Sequence, residues 1–354
     1  MYKKPDTSRL LAVRSLSAPK SYRSAGAFRT LGAARRYWII LAVLGVIAVL
    51  AGFGLLAYKN PFETGSLKWW LIAERRGNAL IAMGIAAVCQ AVATIAFQTV
   101  TNNRIITPGI LGFQALYTAI HTATVYFAGV TGLVAARTLD TFIFQIVMMV
   151  ALSLLLYSWL LTGKHANMHV MLLVGVVIGG GLGSVSTFMQ RMLTPSEFDV
   201  LTARLFASVN NAEPEYYPIA IPLVLISVLI LWAKSRTLNA LSLGAPAATN
   251  LGISYRRQAI LVLVLVAVLM AVSTALVGPL TFLGFLVATM TYQAADTFDH
   301  RYLFPMSVLL AFATLAAAYF IMNHIFSAQG VVGIIIELVG GIAFLIIILR
   351  KGKL

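Results

Sequence analysis

Three features of this 354-residue chain predict an all-α, polytopic membrane protein of about ten transmembrane helices. First, mean hydropathy is +0.90 and only 10% of residues are charged, against about 25% in an ordinary soluble domain. Second, apolar runs of roughly 18 residues or more, long enough for a helix to cross a bilayer, recur from Tyr37 to the C-terminus. They lack the ten-residue alternation of a membrane barrel, the other fold that satisfies its backbone groups in lipid. Third, the Lys and Arg residues alternate in density from loop to loop, as the positive-inside rule requires.

Taken in order, residues 1–36 form a basic tail with nine Lys or Arg and Asp6 as its one acid. Its Ser- and Ala-rich sequence has no sustained apolar face. The expectation is a disordered cytoplasmic segment near anionic lipid, with a regulatory or partner-binding role as the alternative. The apolar run that follows is too long and too far in for a signal peptide. Residues 37–354 are then one transmembrane domain. Its predicted spans are 37–58, 77–98, 106–128, 138–162, 168–189, 215–233, 257–277, 280–292, 303–324 and 332–350. The eighth is short and follows Gly278-Pro279, and such a broken segment is tolerated at membrane depth only inside protein.

An even number of spans puts both termini on one side. With that side cytoplasmic, nineteen Lys or Arg fall inside and seven outside, while seven of the acids lie outside and Glu337 lies within the last span. The formal charge of +15 is therefore topological, and nucleic acid is excluded as a partner. No loop carries G-x-x-x-x-G-K-[ST], so the chain cannot by itself cradle a nucleotide triphosphate. Cys89 is the single cysteine, which rules out a disulfide framework or a cysteine metal cluster. The five histidines, His121, His165, His169, His300 and His324, are scattered and are expected at loops and interfaces rather than as ligands. No catalytic constellation is present, and no metal or cofactor is expected in this chain.

Gln90, Gln98, Gln114 and Gln145 lie at membrane depth and are expected to face protein or water. Gly175, Gly179, Gly180, Gly181 and Gly183 permit close helix approach, with pathway lining as the competing reading. Glu337 is read as an inter-helix contact or, less favoured, a pathway residue.

Four stretches carry a resemblance. FQTVTNNRIITPGILGF (97–113) is similar to the segment Q-x-L-x-x-N-x-L-x-x-P-x-x-L-G that follows the second span of iron-chelate (FecCD-type) ABC importer permeases. Gln98, Asn103, Pro108 and Gly112 occupy its positions. LNALSLGAPAATNLGIS (238–254) resembles the ATPase-coupling segment of that family. VGPLTFLGFLVA (277–288), and DHR (299–301) with GVVGIIIELVGGIAFLIIIL (330–349), resemble its C-terminal motifs. The resemblance runs from Trp38 to Lys353 and implies a type II ABC importer permease. Such a chain pairs with a second permease above two ATPase subunits, which use the ATP. An external binding protein delivers the substrate, here a ferric siderophore, with cobalamin or haem as alternatives.

The same resemblance implies roles residue by residue. Leu241, Gly244, Ala247 and Gly252 match the coupling segment. Gln98, Asn103, Pro108 and Gly112 fall at the cytoplasmic mouth of the pathway, with Pro108 and Gly109 opening the third span. Arg75 and Arg76, just before the second span, match cations that receive the binding protein; anchoring a helix end at the headgroups is the competing role. The chain departs from the family where ATMTYQA (288–294) replaces P-H-x-x-R, and where the ninth span ends in an uncharged run from Phe320 to Phe326. Those departures point to a heterodimer whose partner supplies the missing charge. An ion-coupled carrier would need acid or His relays in several spans, and a free-metal importer would need His or carboxylate clusters. Neither pattern is present in the sequence.

Overall fold

The computed structural model describes residues 26–58, 62, 63, 65–162, 168–324 and 332–350. Among them, thirteen α-helices run α1 (Leu31–Ala57), α2 (Leu67–Thr101), α3 (Phe113–Ala135), α4 (Leu139–Thr162), α5 (Met168–Arg191), α6 (Pro195–Leu205), α7 (Tyr217–Ala233), α8 (Ser235–Leu241), α9 (Ala245–Asn250), α10 (Tyr255–Val277), α11 (Leu283–Ala295), α12 (His300–His324) and α13 (Val332–Arg350). Ten of these answer to the ten predicted spans. Seven are long and apolar enough to cross a membrane within the described residues. Most of the basic tail, including Asp6, lies outside the described residues, as do Lys164, His165 and residues 325–331.

The hydrophobic core is built around α2 and α10, which pack along one another and are ringed by α4, α7, α11 and α12. The best-buried stretch of α2, from Ala86 to Phe97, is largely small residues. Small side chains let neighbouring backbones approach where no hydrophobic gain separates lipid from protein. Buried polar groups are paired across these contacts, as with Gln90 Nε2, which donates to Ser273 Oγ at 3.2 Å.

Several boundaries differ from the sequence expectation. Helix α2 starts ten residues early because Ser66 caps it, accepting from the Trp69 N–H. At 35 residues it is about 52 Å long, and its polar first turns escape a hydropathy window. Arg75 and Arg76 therefore sit within α2 rather than in a loop before it. The third span begins at Phe113, not at 106, and Pro108 opens only a 3-10 turn, Pro108–Leu111. Helix α3 is broken at Gly129 (φ 68°, ψ −172°). Helix α6 falls between predicted spans: Thr194 and Glu197 form a capping box at its start, with Pro195 in the first turn. The hydrogen bonds from the Thr194 backbone and hydroxyl hold the Glu197 carboxyl below its ordinary range.

Contacts between distant segments separate two faces. Residues 26–30, 102–106, 235–254 and 296–301 meet on one, which carries α8 and α9. On the other, Arg137 Nη1 lies 3.7 Å from Glu213 Oε1, and the Ser208 N–H donates to Val277 O. This partition is the one the alternating loop charges predict.

Candidate functional site

The segment 235–254 folds as two short helices, α8 and α9, joined at Gly244. A left-handed φ of 91° at Gly244 and 78° at Gly252 makes the two sharp turns, a conformation that side chains with a Cβ disfavour. Leu241 is fully buried at the end of α8 and Ala247 is half-buried in α9, while Leu243 and Leu251 are each 63% exposed at the tip. An apolar tip on a small-residue loop is suited to a cleft in another protein.

A set of hydrogen bonds ties this segment to the membrane helices. Asn239 Oδ1 accepts from the His300 backbone N–H at 3.1 Å and from His300 Nδ1 at 2.6 Å. Asn239 Nδ2 donates to Asp299 Oδ1 at 3.1 Å. His300 Nε2 lies 2.7 Å from Thr99 Oγ1 on α2, whose hydroxyl donates to Ile95 O at 2.8 Å. Asn102 Nδ2 donates to Leu241 O, and Tyr255 Oη donates to Val100 O at 2.6 Å. The end of α2, the start of α12 and α8 thus form one joint. His121, inside α3 and 3% exposed, departs from the expectation of a loop or interface position, whereas His300 opens α12 next to the 296–299 loop and is 2% exposed. Asn239, Thr99 and Tyr255 were not singled out from sequence. The L-N pair at 238–239 and the DHR at 299–301 were the available signal.

The joint itself helps line a polar cavity of about 120 Å³, bordered in part by Gln98, Asn102, Arg104, Ser242, Tyr292 and His300. The Arg104 guanidinium stands 4.5 Å over the Tyr292 ring. Gln98 Nε2 donates to Arg104 O at 2.8 Å and to Ile106 O at 3.2 Å, and Asn103 Oδ1 accepts from the Ile105 N–H. Those bonds fold the chain after α2 back toward the bundle. Asn102 closes α2 in the left-handed region (φ 49°). Pro108, Leu111 and Phe113 are then buried, and the segment climbs beside α5 rather than lying across a loop surface.

Glycines make that climb possible. A Cβ at Gly112 (φ 95°) would stand 3.6 Å from Gly179 Cα; one at Gly175 would stand 2.9 Å from Leu111 Cδ2. At Gly180, Gly181 and Gly183 a Cβ would meet nothing within 4 Å. The glycine cluster therefore divides: Gly175 and Gly179 are packing positions, and the other three border open space.

A second polar group joins α3, the lead-in to α11, and α13. Thr281 Oγ1 lies 2.9 Å from Gln114 Oε1 and 3.4 Å from Glu337 Oε1, so one hydroxyl proton serves two acceptors. Gln114 and Glu337 are both exposed. Glu337 thus reaches the lead-in to α11 rather than a neighbouring helix, and it stands at an open surface. Arg76 Nη1 donates to Leu56 O and Tyr58 O, at 3.0 Å each, capping the end of α1; Arg75 is exposed. No group of three or more His, Cys, Asp or Glu that could hold a metal ion occurs among the described residues.

The fold is that of a polytopic helical membrane protein: among the described residues seven helices are long and apolar enough to cross a membrane, and a small-residue loop is bonded to two of the long helices. The comparisons specify its family. The chain belongs to the FecCD transport family, which matches residues 40–350. It is 55% identical to the petrobactin import system permease protein FatC of Bacillus anthracis, over 94% of both chains. It is 23% identical to the petrobactin import system permease protein FatD of the same organism, over 89% of this chain and 90% of that one. The fold matches an inward-facing metal-chelate type ABC transporter with a TM-score of 0.74 at 19% identity, covering 90% of this chain and 100% of that chain.

Proposed function

We propose that this chain is one permease subunit of an ATP-driven importer that carries a ferric siderophore across the bacterial cytoplasmic membrane, and that the siderophore is petrobactin. The single observation carrying the substrate is the 55% identity to FatC over 94% of both chains. The chain itself is not an enzyme and needs no cofactor. Two ATPase subunits bind and hydrolyse ATP beneath α8 and α9, an external binding protein delivers the chelate, and a second permease completes the pathway. Both termini are cytoplasmic, which agrees with the loop charges.

In this reading Leu241, Gly244, Ala247 and Gly252 shape the segment that seats in the ATPase, with Leu243 and Leu251 as its apolar contacts. Its motion reaches α2 through Asn102 and Thr99, and α12 through His300. Gln98, Asn103, Pro108 and Gly112 hold the climbing segment that borders the pathway. The open faces at Gly180, Gly181 and Gly183, and the Gln114–Thr281–Glu337 group, form the pathway wall, where a carboxylate is tolerable because water or protein, not lipid, covers it. A wall of mostly small groups with a single carboxylate holds a bulky chelate weakly, which suits release.

The test is uptake of radioiron in a strain lacking this gene, with and without the gene restored. Iron supplied as ferric petrobactin should enter only with the gene present. Unchanged petrobactin-iron uptake in the deletion strain would overturn the substrate assignment.

A further inference from the structure

We propose that residues 26–30 are a strap that positions the coupling segment, with Phe28 as its anchor. This rests on the reading of 235–254 as the segment that engages the ATPase. The strap lies just before the stretch that the family model matches, residues 40–350.

Two sets of contacts fix it. Phe28 pairs as an isolated antiparallel bridge with Thr297, and its ring packs 5.2 Å from Tyr37 and 4.8 Å from Tyr302. Tyr37 is 1% exposed, and its hydroxyl donates to Tyr302 O at 2.9 Å. This aromatic cluster ties the chain before α1 to the first turn of α12. The second set is a continuous line of hydrogen bonds. The Thr297 hydroxyl donates to Ala27 O and accepts from the Asp299 N–H at 3.2 Å. Asp299 Oδ1 accepts from Asn239 Nδ2 at 3.1 Å and from the Arg301 N–H at 3.1 Å. Three links, the last two meeting at the backbone N–H and the carboxylate of Asp299, thus join the strap backbone to α8.

The loop 296–299 lies between strap and α8. It begins with Asp296 in the left-handed region (φ 43°), and Phe298 is 65% exposed, so the turn has few apolar contacts of its own to fix it. On one side it is held by Asn239 and on the other by the strap. Asn239 also bonds His300 directly, so the strap acts on a second route beside that one: when ATPase motion pulls on α8, a loop held on both sides adds its share of the displacement to α12, and a loop held on one side yields. Phe28 and Thr297 are on this account positioning residues, acting through Asp299 and Asn239.

The experiment uses the full complex, both permeases with ATPases and binding protein, reconstituted in vesicles, and reads chelate transported per ATP hydrolysed. Phe28→Ala and Thr297→Val should each lower that ratio about five-fold, the scale of coupling changes along contiguous networks, while ATPase subunits stay bound. Tyr37→Phe, which removes a bond in the same aromatic cluster but none in the line to α8, should leave the ratio unchanged. An unchanged ratio in Thr297→Val overturns the strap, as does a Phe28→Ala complex that is less stable yet normally coupled. Should Phe28→Ala not assemble, Thr297→Val alone decides. Gly244→Arg separates the two readings. It should detach the ATPase or uncouple hydrolysis, and normal transport by that variant would sink the coupling segment itself rather than the strap.

Discussion

Gly179 and Gly181 stand two residues apart on α5 and meet different surroundings. At Gly179 a Cβ would be 3.3 Å from Gly112 Cα, a backbone atom that cannot swing away. At Gly181 the space is open. Overpacking a seam costs about 1–3 kcal/mol, whereas substitutions away from such features stay within about 0.5 kcal/mol. Gly179→Leu should lower the unfolding temperature of the detergent-solubilised complex. Gly181→Leu should leave that temperature unchanged and reduce uptake, because its side chain enters the proposed pathway. Full uptake by Gly181→Leu would show that this face meets lipid instead. The sequence places all five glycines on one helix and leaves packing and lining as rivals. Only the partner segment, more than sixty residues earlier, tells them apart.

The climbing segment 102–112 is an element whose punctuation is legible and whose path is not. Gln98, Asn103, Pro108 and Gly112 each announce a break, and each is found at a bond or turn that makes one. That the chain then rises along α5 depends on a glycine seam that no local pattern reports. The early start of α2 and the presence of α6 were missed for a related reason: both are set by caps, Ser66 and Thr194, in stretches too polar for a hydropathy window. A cysteine at the exposed Asn102 should react with an impermeant thiol reagent only in inverted vesicles, whereas one at Leu111, 3% exposed, should stay silent from both sides. Labelling at 102 in intact cells would invert the topology. The α1–α2 hairpin makes a separate prediction. Because Arg76 caps α1 and Arg75 is free at the surface, Arg75→Glu should weaken binding-protein association and its salt dependence, as a rim charge does. Arg76→Glu should instead destabilise the hairpin by about 1–3 kcal/mol, leaving two carbonyls without their charged donor. Equal effects of the two on association alone would argue against this division of labour.

At the scale of the molecule, the question is what covers the outer face and the exposed sides of α5 and α13. Val176, Val177, Leu338 and Val339 are among their exposed apolar residues, and the exposed Glu337 of α13 carries a carboxylate that no lipid tail would satisfy. In the proposed importer, a second permease would supply both a cover and a water-filled gap. The outer charges argue that this second subunit is a different chain. Arg76 is occupied with α1, which leaves Arg75 as the exposed cation of the pair, and the end of the ninth span runs uncharged from Phe320 through Asn323, with residues 325 and 326 outside the described range. Two copies of this chain would offer both lobes of a binding protein the same depleted surface. A different partner would offer an asymmetric one, fixing which lobe lands where by charge complementarity. The relatives are compatible with that arrangement: FatC and FatD are two distinct petrobactin import permeases of one organism, and this chain is 55% identical to the first and 23% to the second. Expression of this chain with its ATPase and binding protein but without a second permease should give no chelate uptake, and adding the second permease should restore it. Purification of a transport-competent complex whose only permease is this chain would refute the heterodimer.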